Sequence, residues 1–313
     1  MSAVRNYSDE LKQIINTYKE LFENQTMQWG VEMREKYKNF PKITANIWDI
    51  IDKLDEIIDE SDPDTEVAQI HHAFQTAESI RKRFLNDDNT LKPVPVKMLF
   101  KIREWNRLEP AIKYLYNTKI NKLYPTITDW SWLPLVGLIH DLGKVMVLKE
   151  FGELPQWSVV GDTFPVGCPV SSSTVYYDKE FYKNNPDYNN HNYNKEFGIY
   201  SQGIGFNEMF MSWGHDEYMA QVLENNLDKH QLPDEAIYMI RFHSFYPWHT
   251  PKNKTRGYQE YANGFDWKML PLLKMLQLSD LYSKNDAILN NDTLKQKYQK
   301  TIEKYFFNEN LIW

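Results

Sequence analysis

One cysteine in 313 residues, Cys168, excludes an intrachain disulfide and any thiolate metal cluster, and suits a reducing cytoplasm. No stretch approaches the ~20 apolar residues that a membrane span needs. Met1 to Leu21 likewise lacks the apolar core of a secretory signal, so a soluble, unprocessed, cytoplasmic protein is expected. A basic excess is missing too. With 36 Lys and Arg against 43 Asp and Glu, the formal net charge of -7 gives no general attraction to phosphate backbones, which disfavours nucleic-acid binding. No internal repeat and no Gly/Ser linker marks a boundary, so a single domain over residues 1–313 is expected, with a monomer as the default.

What is present is apolar and aromatic: 42% hydrophobic and 15% aromatic residues are ample for a packed core. Stripes at helical spacing run through Leu11, Ile14, Ile15, Tyr18, Leu21 and Phe22, and through Ile47, Ile50, Ile51, Leu54 and Ile58. Further helices are predicted over roughly 69–84, 107–122, 132–148, 206–226, 233–243, 267–283 and 292–306, which makes the fold class mainly α. Between Gly152 and Tyr188, Pro and Gly clusters argue for a long ordered loop region with at most a short strand at Trp157–Val160. Such a loop inside a compact domain is usually functional or disordered. From Asn86 to Tyr124, eight Lys or Arg face four Asp or Glu, which reads as a solvated surface hairpin or a docking surface for an acidic partner.

The chemistry-bearing feature is His140-Asp141, behind the apolar run Leu133–Ile139 and followed by Leu142-Gly143-Lys144. A nitrogen and an oxygen donor at the end of a buried helix are what a metal centre requires and what stability alone disfavours. His72, His215, His243 and Asp280 occupy comparably unusual settings, and the order H, HD, H, H, D is the ligand order of HD domains with one extra histidine. Four histidines and two aspartates can hold two metals if one aspartate bridges, and Asp141 is the natural bridging candidate. Lys144 at i+4 from His140, and Lys284 at i+4 from Asp280, can meet substrate oxygens on the same helix faces. Any single buried histidine is ordinarily a hydrogen-bonded core residue. His71 is read as an exposed or supporting residue, His191 and His230 as surface residues, His249 as a support for a ligand, and Asp216 and Glu217 as either orienting groups or helix N-terminal charges.

Long strings around these residues resemble the myo-inositol oxygenase family, di-iron enzymes on an HD-domain-like helical bundle. They are His72-Ala73-Phe74-Gln75-Thr76-Ala77-Glu78, Leu138 to Lys144, Val160 to Cys168, Met211 to Tyr218 and Tyr238 to His249, within a resemblance running from Arg5 to Trp313. It implies one iron held by His72, His140, Asp141 and Asp280, and a second by Asp141, His215 and His243. It further implies substrate contacts at Arg5, Asp59, Lys144, Gly161, Asp162, Ser244 and Lys284, with Asp141 and Lys144 as the catalytic pair. The implied activity is the dioxygen-dependent cleavage of myo-inositol to D-glucuronate by a mixed-valent Fe(II)/Fe(III) pair. One departure is expected: between His72 and His140 the chain is some 40 residues longer than the family pattern, placing a basic helical insertion at about 86–128. Two rivals stand beside this reading, an HD-type metal phosphohydrolase, whose pocket should be more basic, and a non-catalytic polyol or metal sensor.

Overall fold

Every residue from Trp132 to Ile139 is buried, so this helix is apolar all round and belongs at the centre of the molecule, not on its surface. Each fully buried Leu, Val or Ile there contributes about 1.5–3 kcal/mol. The computed structural model describes residues 7–39, 43–61, 68–251, 257–283, 291–307 and 310–313. Its helices are α1 (Tyr7–Asn24), α2 (Met27–Asn39), α3 (Ile47–Lys53), α4 (Gln69–Phe84), α5 (Ile102–Arg107), α6 (Pro110–Leu115) and α7 (Ile120–Leu123). They continue with α8 (Trp132–Ile139), α9 (His215–Glu224), α10 (Asp234–Phe242), α11 (Tyr246–His249), α12 (Gly264–Ser283) and α13 (Asn291–Phe306). Among the described residues the one sheet is a two-stranded antiparallel pair, β1 (Thr44–Ala45) with β2 (Leu311–Ile312). The expected mainly α architecture is what the chain adopts.

The packing around α8 sets the site. α4 and α12 pack against each other, and both also contact α8. The α4–α8 crossing is close because a small residue sits on each side: a Cβ on Gly137 would lie 2.7 Å from Ile80 Cδ1 and 3.1 Å from the Ala77 backbone nitrogen. Any larger residue at 137 would push α4 away, and His72 with it. Lys274, on α12, is buried and satisfied by Glu104 Oε2 at 3.0 Å, the His249 carbonyl at 3.1 Å and Thr250 Oγ1 at 3.1 Å. Opposite charge plus hydrogen bonds is the condition on which a buried ammonium is tolerated.

Several sequence expectations need correction. The helix predicted over 132–148 ends at Ile139 with His140 as its cap; Asp141 takes φ -96 and ψ 2, and Leu142–Val147 continues as a tighter 3-10 turn whose Lys144 N–H bonds the Asp141 carbonyl. The predicted 107–122 helix breaks into α6 and α7 at Tyr116–Lys119, where the chain turns back to bond Val94 and Val96, so the basic segment is a set of short helices instead of a hairpin. The 206–226 helix begins only at His215, because residues 209–214 run extended and Trp213 N–H bonds the Gln25 side chain. Trp157–Val160 forms a 3-10 turn over Gln156–Ser158, not a strand. The remaining loop is ordered by short 3-10 turns at Tyr177–Lys179, Phe181–Asn184 and Pro186–Asn189.

The outer helix α13 is tied to α4 by Glu78, which receives Arg81, Lys297 and Tyr298. Burial alone would raise its pKa, but these three donors hold it down to about 2. A depressed carboxylate stabilises the fold above its unfolded pKa and loses that contribution as pH falls through the folded value. Glu78→Gln is therefore expected to lower stability by about 1 kcal/mol at neutral pH, a figure reduced for partial exposure. In denaturant titrations the gap from the parent should close as pH drops from 4.5 towards 2; a gap independent of pH would contradict the pairing.

Candidate functional site

At the C-terminal end of α8 the chain delivers His140 and Asp141 into a cavity of about 430 Å3, within the ~300–1,000 Å3 range of small-molecule sites. His72 from α4, His215 from the first turn of α9, His243 just after α10 and Asp280 from α12 line the same cavity. All six are buried. Asp141 sits between two pairs of imidazoles. Its Oδ1 lies 3.3 Å from His215 Nε2 and 3.4 Å from His243 Nε2, while Oδ2 lies 3.6 Å from His72 Nε2 and 3.5 Å from His140 Nε2. Asp280 Oδ1 is 2.9 Å from His72 Nε2 and 3.7 Å from His140 Nε2. Donor atoms of His72, His140 and Asp280 fall within 4.8 Å of one another, as do those of His140, Asp141 and His243.

The orientation of the rings is fixed from behind. Nδ1 of His140 meets the Gly137 carbonyl at 2.9 Å, that of His215 meets Val159 at 2.7 Å, and that of His243 meets Ile240 at 2.7 Å. A carbonyl only accepts, so each Nδ1 carries hydrogen and it is Nε2 that faces the cavity, the atom that can offer a lone pair to a metal ion. His215 Nε2 and His243 Nε2 then face each other at 3.1 Å with Asp141 Oδ1 beside them. Lone pairs and a carboxylate crowded this way repel unless a cation lies among them. This donor set fits one or two divalent or trivalent ions of the iron, manganese or zinc type.

Two close approaches fix the second pair of ligands. His215 gives both its backbone N–H and its ring Nδ1–H to the Val159 carbonyl, so the loop after Gly152 positions α9. From the other side, Gly143 presses on α9 so tightly that a Cβ there would lie 1.9 Å from the His215 carbonyl oxygen. The glycine of the His-Asp-Leu-Gly-Lys string is thus required by contact. Asp216 is buried and accepts hydrogen bonds from Thr163 Oγ1 and from Ser244 Oγ at 2.6 Å. It ties the loop to the turn after His243 through Oδ2, while its Oδ1 accepts the Glu217 N–H at 2.8 Å in the first turn of α9, so the orienting contact and the helix-end charge are both present. His249 donates from Nε2 to the His243 carbonyl at 2.8 Å; burial, with Lys274 adding, depresses its pKa to about 3, so the ring is neutral.

Of the residues expected to meet substrate, Asp59, Lys144, Gly161, Asp162 and Ser244 all line the cavity; Arg5 and Lys284 lie outside the described residues. Lys144 Nζ is bonded to Asp59 Oδ2 at 2.7 Å, Asp141 Oδ2 at 2.8 Å and Gln69 Oε1 at 2.8 Å. Burial works against its charge, but the carboxylates of Asp141 and Asp59 outweigh it and raise the ammonium above the ordinary lysine value. Burial likewise pushes Asp59 up, and Lys144 with two hydrogen bonds from Ser61 brings it below the usual carboxylate range. Sequence reasoning missed Tyr18, which donates to Asp162 Oδ1 at 2.8 Å, Tyr246, which reaches Asp280 Oδ2 at 3.3 Å, and Gln69. Nothing in their local pattern separates these from core residues. His230, read as a surface residue, is instead buried, donating to the Leu223 carbonyl at 3.0 Å and accepting from the Leu232 N–H. His191 is exposed.

Gly143→Ala is expected to force the 142–147 turn off α9, costing about 1–3 kcal/mol, the range for overpacking, and lowering metal content. Thermal melting beside metal analysis checks this; a variant that melts and loads metal like the parent would contradict the contact.

A family model described as myo-inositol oxygenase matches residues 11–94 and 106–313. It leaves out residues 95–105, inside the segment expected as an insertion, and matches on either side of them. The inositol oxygenase of Dictyostelium discoideum is 40% identical over 310 residues, covering 99% of this chain and 89% of the relative. The human inositol oxygenase is 39% identical over 306 residues, 97% of this chain and 89% of the relative. A probable inositol oxygenase of Oryza sativa subsp. japonica is 39% identical over 308 residues, 97% and 83% respectively. Matched along almost its whole length, and with the buried histidines and aspartates drawn to one cavity, the chain belongs to the myo-inositol oxygenase family.

Proposed function

We propose that this protein is a di-iron oxygenase that converts myo-inositol and dioxygen to D-glucuronate. The observation that carries the two-metal reading is the carboxylate of Asp141, with Oδ1 turned to His215 and His243 and Oδ2 to His72 and His140. In this reading His72, His140, Asp141 and Asp280 hold one iron, and Asp141, His215 and His243 the other. The iron pair, mixed-valent Fe(II)/Fe(III), would supply Lewis acidity towards the substrate hydroxyls and a redox path to dioxygen, while the four electrons that reduce dioxygen come from the inositol itself. The balance is simple: one ring C–C bond breaks, one oxygen atom enters the new carboxylate, and the other leaves as water.

The remaining roles fall to the cavity's own side chains. Lys144, a cation between Asp59 and Asp141, can turn the donor it gives to Asp141 towards the oxygen of a bound hydroxyl and favours its ionised form. Once Asp141 is engaged by metal, Asp59 remains as the partner that keeps Lys144 oriented. Asp162, held by Tyr18, accepts from further hydroxyls, as a polyol needs and a phosphate group would not. Ser244, anchored on Asp216, presents its position beside His243. Asp59 and Asp162 also weigh against a phosphohydrolase, whose substrate they would repel. The reading takes a monomer acting in the cytoplasm without a nucleic-acid partner, in keeping with the net charge of -7 and the single cysteine. Among the described residues no helix is long and apolar enough to cross a membrane.

Ferrous-reconstituted protein is expected to consume oxygen and release glucuronate only when myo-inositol is present. Lys144→Met should lose about 10²-fold or more in kcat, the cost of removing a donor to developing charge. An oxygen electrode with a glucuronate assay checks both; phosphate-ester hydrolysis without oxygen uptake would sink the proposal.

A further inference from the structure

Residues 95–105, the stretch that the family model leaves out, close over a buried cation of α12. Glu104 Oε2 accepts from Lys274 Nζ at 3.0 Å, and the centre of the Phe100 ring lies 5.6 Å from the same nitrogen. Both contacts are held in place. Glu104 Oε2 also accepts the Lys101 backbone N–H at 3.0 Å, Phe100 stacks on Tyr116 with centroids 5.5 Å apart, and Val96 N–H bonds the Thr118 carbonyl at 3.0 Å. Burial works against the charge on Lys274, and the Glu104 carboxylate opposes that loss.

From this ammonium a chain of hydrogen bonds runs to the metal donors. Its other two hydrogens go to the His249 carbonyl and to Thr250 Oγ1, each at 3.1 Å. Thr250 Oγ1 lies 3.1 Å from His249 Nδ1, and His249 Nε2 lies 2.8 Å from the His243 carbonyl. The direction of each bond follows from its ends. An ammonium only donates and a carbonyl only accepts, so His249 carries its hydrogen on Nε2, and the Thr250 hydroxyl, which accepts from Lys274, gives its own hydrogen to Nδ1. The His243 carbonyl belongs to the last turn of α10, where carbonyls lack a helical partner, and His249 caps it. With its ring Nδ1 on the Ile240 carbonyl at 2.7 Å, His243 is thus fixed at both backbone and ring.

We propose that Glu104 and Lys274 are positioning residues for the metal ligand His243, acting through Thr250 and His249, and that the 95–105 segment thereby sets how tightly the ion at His215 and His243 is held. The inference rests on the two-metal reading of the site. It gives the segment a task inside the protein: Glu104 keeps the ammonium charged and aimed, the ammonium fixes the Thr250 hydroxyl, and the hydroxyl fixes the ring that caps His243. Groups that orient a metal ligand from behind are worth about 10- to 100-fold in metal affinity.

Anaerobic titration of the full chain with ferrous iron against a competing chelator, followed by Mössbauer spectroscopy of the loaded protein, tests this. E104Q/K274M removes both charges together and so leaves no buried ion unpaired; its metal-free melting temperature should stay near that of the parent. Its affinity for one of the two irons should fall about tenfold, with one ferrous doublet changed and the other as in the parent. T250V, which cuts the link between Lys274 and His249, should weaken the same iron, and T250S should restore it. Affinities and spectra like the parent's in both E104Q/K274M and T250V would overturn the proposal. Equal weakening of both irons would overturn it too, since that marks a general loosening of the fold. A parent that takes up a single iron would contradict the two-metal reading instead, and the brace is then judged on that one ion: unchanged affinity in both variants overturns it, and a tenfold loss that T250S reverses supports it.

Discussion

The organising constraint is the burial of one carboxylate among four imidazole nitrogens. Asp141 is withdrawn from water, and the four Nε2 atoms around it lie 3.3 to 3.6 Å from its oxygens. Three of the rings are fixed by backbone carbonyls so that they cannot turn away. Such a cluster is stable only with positive charge inside it, and Lys144 supplies part of that from one side. The rest of the fold serves this arrangement. α8 ends where it must for Asp141 to leave the helical path, Gly137 lets α4 approach with His72, and Gly143 lets α9 approach with His215.

Much of this was legible in the sequence, and the reason is specific. Polar metal-type donors embedded in apolar helical runs are costly without a function, so His72, His140, Asp141, His215, His243 and Asp280 stood out against their neighbours. α4 and α13 followed from apolar spacing because each turns one face to the core, whereas α12 is buried all round from 269 to 277 and followed from its apolar run. Where the prediction overran, tertiary contact had overridden local pattern: α8 runs through Pro134 in its first turn and Gly137 in its middle, and it stops where Asp141 leaves helical φ/ψ and Gly143 packs against α9. Tyr18, Tyr246 and Gln69 were illegible because each lies in an ordinary helical context and acquires its role only from a residue far away in the chain. His230 misled for the converse reason, since its polar neighbours concealed a buried hydrogen-bonding task.

The long loop and the basic segment show how function is distributed over irregular chain. Val159 holds His215, Thr163 shares Asp216 with Ser244, and Gly161 and Asp162 line the cavity, so the loop after Gly152 is as much a part of the site as the helices. The basic segment enters from the opposite direction in sequence, bringing Lys101 and Arg103 to the outer wall while Glu104 locks it to α12 through Lys274. A scaffold of buried helices sets the metal donors, and the irregular segments set what can approach them.

The central claim is that Asp141 bridges two irons. Iron analysis with Mössbauer spectroscopy on anaerobically reconstituted protein tests it most directly. The account predicts two irons per chain that are magnetically coupled, and loss of the coupling in Asp141→Ala. A single iron per chain, or two uncoupled irons unaffected by Asp141→Ala, would contradict it.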